Sequence, residues 1–177
     1  PILKVAPDYA DRIAVCTAPS KTFNLAGMKT SNIVIHNKEL QAAWKELIGG
    51  KLSMNGAGTL GLTAMIAAYN EGEEWLEQLL PYLSANFDFV ADYCREHIPQ
   101  IKTCAPDATY LMWLDCRALG LDNDALRRFM IEQAGLGLND GCSFGRSLNG
   151  YMRLNAACPR SVLERAMKQL EAAVKAL

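Results

Sequence analysis

A lysine near the start of the chain has surroundings that could give its amine a chemical role. Lys21 lies in the stretch Ala18-Pro-Ser-Lys-Thr-Phe23, directly after the apolar run Arg12-Ile-Ala-Val-Cys-Thr17. A corner at the end of a buried strand would hold the amine in a partly desolvated place, where it can attack a carbonyl carbon and form a Schiff base. The alternative is a solvated surface lysine, since most lysines are exposed.

An arginine near the end of the chain is the second candidate. Arg153 lies within Tyr151-Met-Arg-Leu-Asn155, and alternation along a strand places its side chain on the same face as Tyr151 and Asn155. Such an arginine is either an edge residue whose charged head reaches water or a bidentate clamp for a carboxylate. The pattern alone leaves both interpretations open.

Two weaker candidates accompany these side chains. Lys29 follows Lys21 by eight residues and lies close to Gly27, so it either holds a phosphate or is an ordinary loop lysine. The loop Asn139-Asp-Gly-Cys-Ser-Phe-Gly145 contains two glycines, which would let its backbone approach a ligand or simply form turns.

Cysteines are spread along the chain without the spacing of a metal site. The six are Cys16, Cys94, Cys104, Cys116, Cys142 and Cys158. None forms a C-x-x-C motif, and no histidine stands at ligand spacing from any of them. We therefore predict no structural metal and a reducing compartment, the cytoplasm.

The composition is that of a globular protein with one or two domains. The chain has 177 residues, of which 50% are hydrophobic and 21% are charged, and its formal net charge is −1. No basic surface indicates nucleic acid, and no apolar run approaches the roughly 20 residues needed to cross a bilayer. We expect neither a nucleic-acid partner nor a membrane. Because position 1 is Pro, we also expect that the chain begins inside a longer protein or has lost its start.

The first half of the chain reads as the end of an α/β sheet with its helices. Ile13–Thr17 and Asn32–His36 are short and continuously apolar, which is typical of strands buried on both faces of a parallel sheet. Three helices are predicted next, over residues 38–48, 56–69 and 73–98. Pro81 should kink the third helix or begin a new one, so it is the predicted hinge between two domains, 1–80 and 81–177.

The second half predicts an α+β unit. Strands are predicted over residues 110–114, 135–138 and 151–155. Asp122 should cap a helix over residues 123–134. The last helix should begin with a capping box formed by Ser161 and Glu164, and its apolar face is formed by Leu163, Met167, Leu170 and Val174.

Four segments together resemble a known family. Ala18–Gly27 resembles the cofactor-lysine segment of pyridoxal-phosphate enzymes with the aspartate-aminotransferase fold. Ala108–Asp115, the Phe144-Gly145 loop and Gly150–Ser161 agree in order and spacing with later segments of the same enzymes, and most of all with the MalY/PatB-type cystathionine β-lyases. The resemblance implies the C-terminal portion of that fold: a remnant of the large cofactor-binding domain followed by the small C-terminal domain.

The resemblance also implies roles for individual residues. Lys21 would bind pyridoxal 5′-phosphate covalently and then transfer the substrate proton, while Arg153, with Asn155 beside it, would bind the substrate α-carboxylate. Lys29 falls where many relatives carry an arginine that contacts the cofactor phosphate. Relatives often have a hydroxyl three residues before the lysine. That position is Ala18 here, which leaves Thr17 or Ser20 to contact the cofactor.

The implied activity is that of a C–S β-lyase, which converts cystathionine to homocysteine, pyruvate and ammonia. An aminotransferase is the alternative, and a non-catalytic partner-binding module is a third hypothesis. The resemblance further implies an amino-acid substrate and a homodimer. Because these enzymes place several cofactor-binding residues before the lysine, we expect the 177-residue chain alone to be inactive.

Overall fold

The computed structural model describes residues 2–54 and 56–177, which divide into two compact units. Unit 1 extends to Glu77, and unit 2 runs from Gln78 to Leu177. Pro1, with which the predicted first domain begins, lies outside the described residues. The identity of the predicted domains 1–80 and 81–177 stays a prediction.

Unit 1 combines a pair of strands with helices of very different length. Its elements are α1 (Ile2–Val5), β1 (Ala14–Thr17), β2 (Asn32–Ile35), α2 (Lys38–Lys45), α3 (Thr59–Glu71) and the first residues of α4 (Glu73–His97). The side chain of Asn37 caps α2 by accepting hydrogen bonds from the backbone N–H groups of Glu39 and Leu40. A π-helical turn over Glu46–Lys51 continues α2 through the two glycines at which the helix was predicted to stop.

The two strands of unit 1 differ from the prediction in their pairing and burial. β1 and β2 form an antiparallel two-stranded sheet in which Ala14 faces Ile35 and Thr17 faces Asn32. Three of the four residues of β1 are exposed, so the prediction of strands buried on both faces of a parallel sheet is wrong for the described chain. A sheet of two four-residue strands can bury little of its own surface, and apolar residues alone do not provide the layers that would cover it.

The predicted long helix is continuous. α4 runs from Glu73 to His97 with Pro81 inside it, so the alternative of a second helix beginning at the proline is wrong. Pro81 cannot donate a hydrogen bond to the carbonyl of Glu77, four residues earlier. The division between the two units falls at this turn of the helix, between Glu77 and Gln78.

Unit 2 is the α+β unit that the sequence predicted. Its elements after α4 are β3 (Lys102–Thr103), β4 (Leu111–Asp115), α5 (Asn123–Arg128), β5 (Asn139–Asp140), β6 (Tyr151–Asn155) and α6 (Arg160–Lys175). The strands form an antiparallel sheet in the order β3-β4-β6-β5. Asp122 caps α5 as predicted, by accepting a hydrogen bond of 2.8 Å from the N–H of Ala125.

One face of this sheet carries the core. Along the two central strands buried and partly exposed side chains alternate, and Met112, Leu114, Met152 and Leu154 are the buried ones. They pack with buried residues of the helices, among them Val90, Cys94, Leu126, Phe129, Leu163, Met167 and Leu170. Each such side chain contributes about 1.5–3 kcal/mol by leaving water. This packing fixes β4 and β6 and turns their other face outward.

Two local predictions in unit 2 are wrong. Residues 135–138 do not form a strand, because Gly135 has a φ of +65° and interrupts the extended conformation. The last helix begins at Arg160 with Pro159 as its N-cap, and no side chain caps it. Ser161 is therefore already inside the first turn, where it cannot form the predicted capping box with Glu164.

The six cysteines are all free. Burial raises the pKa of the Cys116 thiol to about 12 and that of Cys94 to about 11, so both behave as small apolar side chains. Across the described residues, every helix is too short or too polar to cross a membrane.

Candidate active site

Lys21 lies on a tight turn that follows β1. The N–H of Phe23 donates to the carbonyl oxygen of Pro19 at 2.9 Å, and the N–H of Leu25 donates to that of Ser20 at 3.0 Å. Lys21 is exposed in the middle of this turn, and its amine makes no hydrogen bond or ion pair with any described residue. The predicted partly desolvated setting is therefore wrong for the described chain, because β1 is itself exposed and covers nothing.

One end of the turn is anchored by aromatic packing. The ring of Phe23 lies 5.9 Å from that of Tyr69, edge to face, and 6.1 Å from that of Trp75. Gly72, between α3 and α4, makes this approach possible, since a Cβ there would come within 2.7 Å of Phe23 Cε1. Phe23 thus ties the Lys21 turn to the end of α3.

The other end of the segment is anchored against the first turn of α3. Thr30 is buried, and its hydroxyl donates to the carbonyl oxygen of Met28 at 3.0 Å. It packs against Gly61, where a Cβ would overlap the Thr30 hydroxyl. The preceding residue, Lys29, is exposed and has a left-handed φ of +50°. The chain from Phe23 to Thr30 is therefore held at both ends. Lys29 is exposed within this stretch, and Lys21 is exposed in the turn just before it.

Arg153 occupies the outward face of the sheet in unit 2. It lies on β6, which pairs with β4 on one side and β5 on the other, so the interpretation as an edge-strand arginine is wrong. Its Nη2 donates to Asn139 Oδ1 at 3.0 Å, and its guanidinium carbon lies 4.3 Å from the centre of the Phe144 ring. The predicted face is confirmed, because Met152 and Leu154 are buried on the opposite side.

Asn155 ends β6 on the same face and uses one of its side-chain atoms locally. Its Oδ1 accepts a hydrogen bond of 2.9 Å from the N–H of Ala157, which forms a turn after the strand. The side chain is otherwise exposed, so its NH₂ group stays available to a ligand.

A nearby carboxylate is neutralised by a different arginine. Arg117 donates to both oxygens of Asp115, at 2.8 Å from Nε and 2.7 Å from Nη2, and its guanidinium stacks over the Tyr151 ring at 4.9 Å. These hydrogen bonds lower the pKa of Asp115 to about 2. Because Asp115 is already paired with Arg117, its carboxylate does not pair with Arg153, which lies on the same face of the sheet.

Sequence reasoning missed three neighbours of Arg153. They are Asn139, Phe144 and Trp113, which faces Arg153 across the β4–β6 pair and meets the Phe144 ring at 5.5 Å, edge to face. The Asn139–Gly145 loop was noted for its glycines, but only the strand register shows that it reaches Arg153. Of the predicted site residues, Ser20, Lys21 and Lys29 thus lie in unit 1, and Arg153 and Asn155 lie in unit 2.

Comparison with known proteins finds relatives of this chain among curated enzymes. No family model matches the chain. The cystathionine β-lyase PatB of Bacillus subtilis is 35% identical over 177 residues, which cover 98% of this chain and 45% of that protein. An aspartate aminotransferase from Pyrococcus horikoshii matches at 23% identity over 180 residues.

The solved structures that resemble this chain are also pyridoxal-phosphate enzymes. The crystal structure of cystalysin from Treponema denticola, which contains pyridoxal 5′-phosphate, matches 98% of this chain and 44% of its own with a TM-score of 0.92 and 34% identity. The PLP-bound C–S lyase of Staphylococcus hominis matches 98% of this chain and 44% of its own, with a TM-score of 0.89 and 32% identity.

The chain is related, by sequence and by fold, to the pyridoxal-phosphate enzymes with the aspartate-aminotransferase fold. Within that class its relatives are the MalY/PatB-type cystathionine β-lyases, as the sequence predicted. The chain spans about 45% of the length of the relatives it matches, which is consistent with the predicted C-terminal portion.

Proposed function

We propose that this chain is part of a pyridoxal-phosphate-dependent C–S β-lyase that cleaves a sulfur-containing amino acid such as cystathionine. The observation that carries the proposal is the free amine of Lys21 on an anchored turn, in a chain whose relatives include a cystathionine β-lyase at 35% identity. The exposed, unpaired amine is accessible to an aldehyde, but most lysines are exposed, so the assignment to Lys21 rests on its place in the Ala18–Gly27 segment and on the relatives of the chain.

The donor set of unit 1 fits the cofactor. Pyridoxal phosphate presents an aldehyde and a phosphate, and unit 1 offers a primary amine at Lys21, a hydroxyl at Ser20 and a second cation at Lys29. A network of turns joins these residues, because the N–H of Leu25 bonds to the carbonyl of Ser20 and the N–H of Lys29 bonds to that of Ala26. We assign Lys21 to the aldehyde and the other two side chains to the phosphate.

The proposed reaction uses the chain's own groups for proton transfer and positioning. When bound, the cofactor supplies an electron sink for a carbanion at the substrate α-carbon. Lys21 removes the α-proton, and Arg153 holds the α-carboxylate, with the NH₂ group of Asn155 as a further donor. Loss of the β-thiolate leaves an aminoacrylate, which water hydrolyses after its release to pyruvate and ammonia.

An aminotransferase is the second candidate, and the match to an aspartate aminotransferase supports it at lower identity. The same lysine and arginine would serve both reactions, which differ in whether a thiolate leaves or a proton is returned to the cofactor. A non-catalytic partner-binding module is the third candidate, and it predicts that Lys21→Ala leaves binding to a protein partner unchanged.

We further propose that the predicted domain 1–80, most of which is unit 1, is the remnant of the large cofactor-binding domain, and that the predicted domain 81–177, which lies within unit 2, is the small C-terminal domain. The full-length protein is proposed to be a cytoplasmic homodimer. Free cysteines at all six positions are consistent with a reducing compartment. The 177-residue chain alone is proposed to be inactive.

Borohydride reduction tests the role of Lys21. Full-length protein incubated with pyridoxal phosphate and then reduced should carry the cofactor label on the peptide that contains Lys21. Lys21→Arg keeps the charge but should abolish the label, while Lys45→Ala, at an exposed lysine of α2, should leave it unchanged. Label on another lysine, or none in the wild type, would refute the assignment.

A substrate test separates the two reactions. With cystathionine and no keto acid, the lyase releases pyruvate continuously, and Lys21→Arg should lower this rate by about 10²-fold or more. Product that forms only after a keto acid is added would instead establish the aminotransferase.

A further inference from the structure

We propose that Asn139 and Phe144 are positioning residues that fix the guanidinium of Arg153, so that it binds the substrate carboxylate end-on through its two terminal nitrogens. This inference rests on the proposed function, because it concerns how the proposed carboxylate site is built. It assigns a role to Asn139 on β5 and to Phe144 in the loop after β5, and it assigns a geometry to the bound carboxylate.

The register of the sheet brings Asn139 to Arg153. The two residues face each other across the β5–β6 pair, and Asn139 Oδ1 accepts the only hydrogen bond that the guanidinium makes to a described residue. A neutral amide accepts this bond without cancelling the charge. Asn139 therefore orients the cation and leaves it available to an anion.

Aromatic rings fix the plane of the guanidinium. Phe144 stacks on it at 4.3 Å, and Trp113 supports Phe144 by meeting its ring edge to face. Trp113 also faces Arg153 directly on the neighbouring strand β4. Stacking on an aromatic face still leaves the N–H groups in the guanidinium plane free to donate.

Burial of one nitrogen determines which edge of the guanidinium is free. Arg153 Nε is buried and has no hydrogen-bond partner among the described residues. It is therefore closed to a carboxylate arriving from solvent, which excludes the side-on mode through Nε and Nη2. Nη1 makes no hydrogen bond to a described residue, and Nη2 has a hydrogen beyond the one it gives to Asn139, so the two terminal nitrogens are the donors left for a carboxylate.

The loop that carries both positioning residues is itself fixed. Asp140, next to Asn139, accepts hydrogen bonds from Asn123 Nδ2 at 2.8 Å and from the N–H of Cys142 at 2.9 Å. The first bond ties β5 to the start of α5, and the second forms the turn that leads to Phe144. These two bonds, together with the β5–β6 pairing, fix the position of Asn139 without the Arg153 side chain.

The test uses two substitutions of Asn139 in the full-length protein with its cofactor. Asn139→Ala removes the acceptor and should raise KM for the amino acid about tenfold with little change in kcat, as expected for one charged hydrogen bond that orients the substrate's binding partner. Asn139→Asp is nearly isosteric but pairs with Arg153, so it should raise KM further. Ser147→Ala, an exposed residue of the next turn, is the matched control and should change neither constant.

A binding measurement makes the result independent of turnover. The dissociation constant of propionate, a simple carboxylate, is measured by calorimetry for the wild type, the two Asn139 variants, Phe144→Leu and Arg153→Lys. All four variants should bind propionate more weakly, and Asn139→Ala should have no further effect in the Arg153→Lys background.

The outcomes separate this inference from the proposed function. If Arg153→Lys weakens propionate but the Asn139 variants do not, the positioning inference fails and the proposed carboxylate site stands. If Arg153→Lys also leaves propionate binding and KM unchanged, both fail. If Asn139→Asp is no worse than Asn139→Ala, Asn139 does not act on the charge of Arg153, and the inference is again overturned.

Discussion

At the scale of single residues, the two principal cations of the chain have opposite surroundings. Arg153 is held by an amide acceptor and an aromatic ring, whereas the amine of Lys21 meets no partner among the described residues. These settings suit the proposed roles. A group that orients a substrate by reversible bonds gains from being fixed, and a group that forms a covalent bond and then moves a proton gains from a mobile side chain on a fixed backbone.

The Asp115–Arg117 pair predicts an acid-sensitive contribution to stability. The pKa of Asp115 is lowered from its ordinary 3.8 to about 2 in the folded protein, chiefly by the hydrogen bonds from Arg117. The unfolded state therefore binds the proton first as the pH falls, so the stabilisation is complete above pH 3.8 and is lost towards pH 2. Because Arg117 is largely exposed to water, which screens the pair, we expect this contribution to stability to be small.

Urea unfolding at pH 5 and pH 2.5 checks this prediction. Asp115→Asn should lose less free energy of unfolding between the two pH values than the wild type. Asp107→Asn, at an exposed residue of the preceding loop, should behave as the wild type does. Equal losses in all three proteins would show that the pair contributes nothing.

At the scale of elements, the outward face of unit 2 depends on the short connection between β5 and β6. Gly141 is buried in this connection, and a Cβ at that position would overlap the carbonyl oxygen of Leu148 and come within 2.7 Å of that of Tyr151. Both carbonyls belong to the backbone, so neither can rotate away as a side chain would. The loop that holds Phe144 over Arg153 therefore requires glycine at position 141.

Gly141→Ala should destabilise unit 2 and disturb the arginine site together. Overpacking against backbone typically costs about 1–3 kcal/mol, and movement of the loop should also weaken propionate binding. Gly137→Ala is the control, because a Cβ there has nothing within 4 Å. Thermal unfolding and calorimetry measure the two effects, and an unchanged Gly141→Ala protein would contradict the packing described.

The local sequence pattern predicted most strands and helices of unit 2, but it did not predict which residues of other elements lie beside them. The strand Tyr151–Asn155 and the Asp122 cap follow from alternation and from capping chemistry, which are properties of neighbouring residues. The partners of Arg153 could not be predicted in this way, because Asn139 and Trp113 come from different strands and only tertiary register brings them to it. The exposure of β1 was missed for a related reason, since burial depends on the layers around a strand.

At the scale of the whole molecule, the buried apolar core belongs to one unit. All the buried hydrophobic residues of the described chain, from Leu83 to Ala173, lie in unit 2. Unit 1 instead exposes large apolar side chains, including Leu60 at 78% and Met54 at 61% of their full accessibility. The free energy that opposes local opening should therefore differ between the two units.

Hydrogen exchange measures this difference directly in the 177-residue chain. Amides of β4 and β6 should exchange slowly, because opening these strands exposes the core. Amides of β1 and β2 should exchange at least tenfold faster, through local opening of their sheet. Mass spectrometry of the peptides from one exchange reaction compares both units under identical conditions. Equal protection of the two sheets would contradict the assignment of the core to unit 2.

The uneven core also determines how the two units tolerate amino-acid change. In unit 2, many positions accept only side chains of the right size, since a substitution such as Leu114→Ala leaves a cavity. In unit 1, the described chain places few such demands, and its tightest requirements fall on Gly61 and Gly72, which let Thr30 and Phe23 approach. A library of random variants of this chain, selected for folding alone, would therefore drift more freely in unit 1 than in unit 2, and only selection for chemistry would hold Lys21 in place.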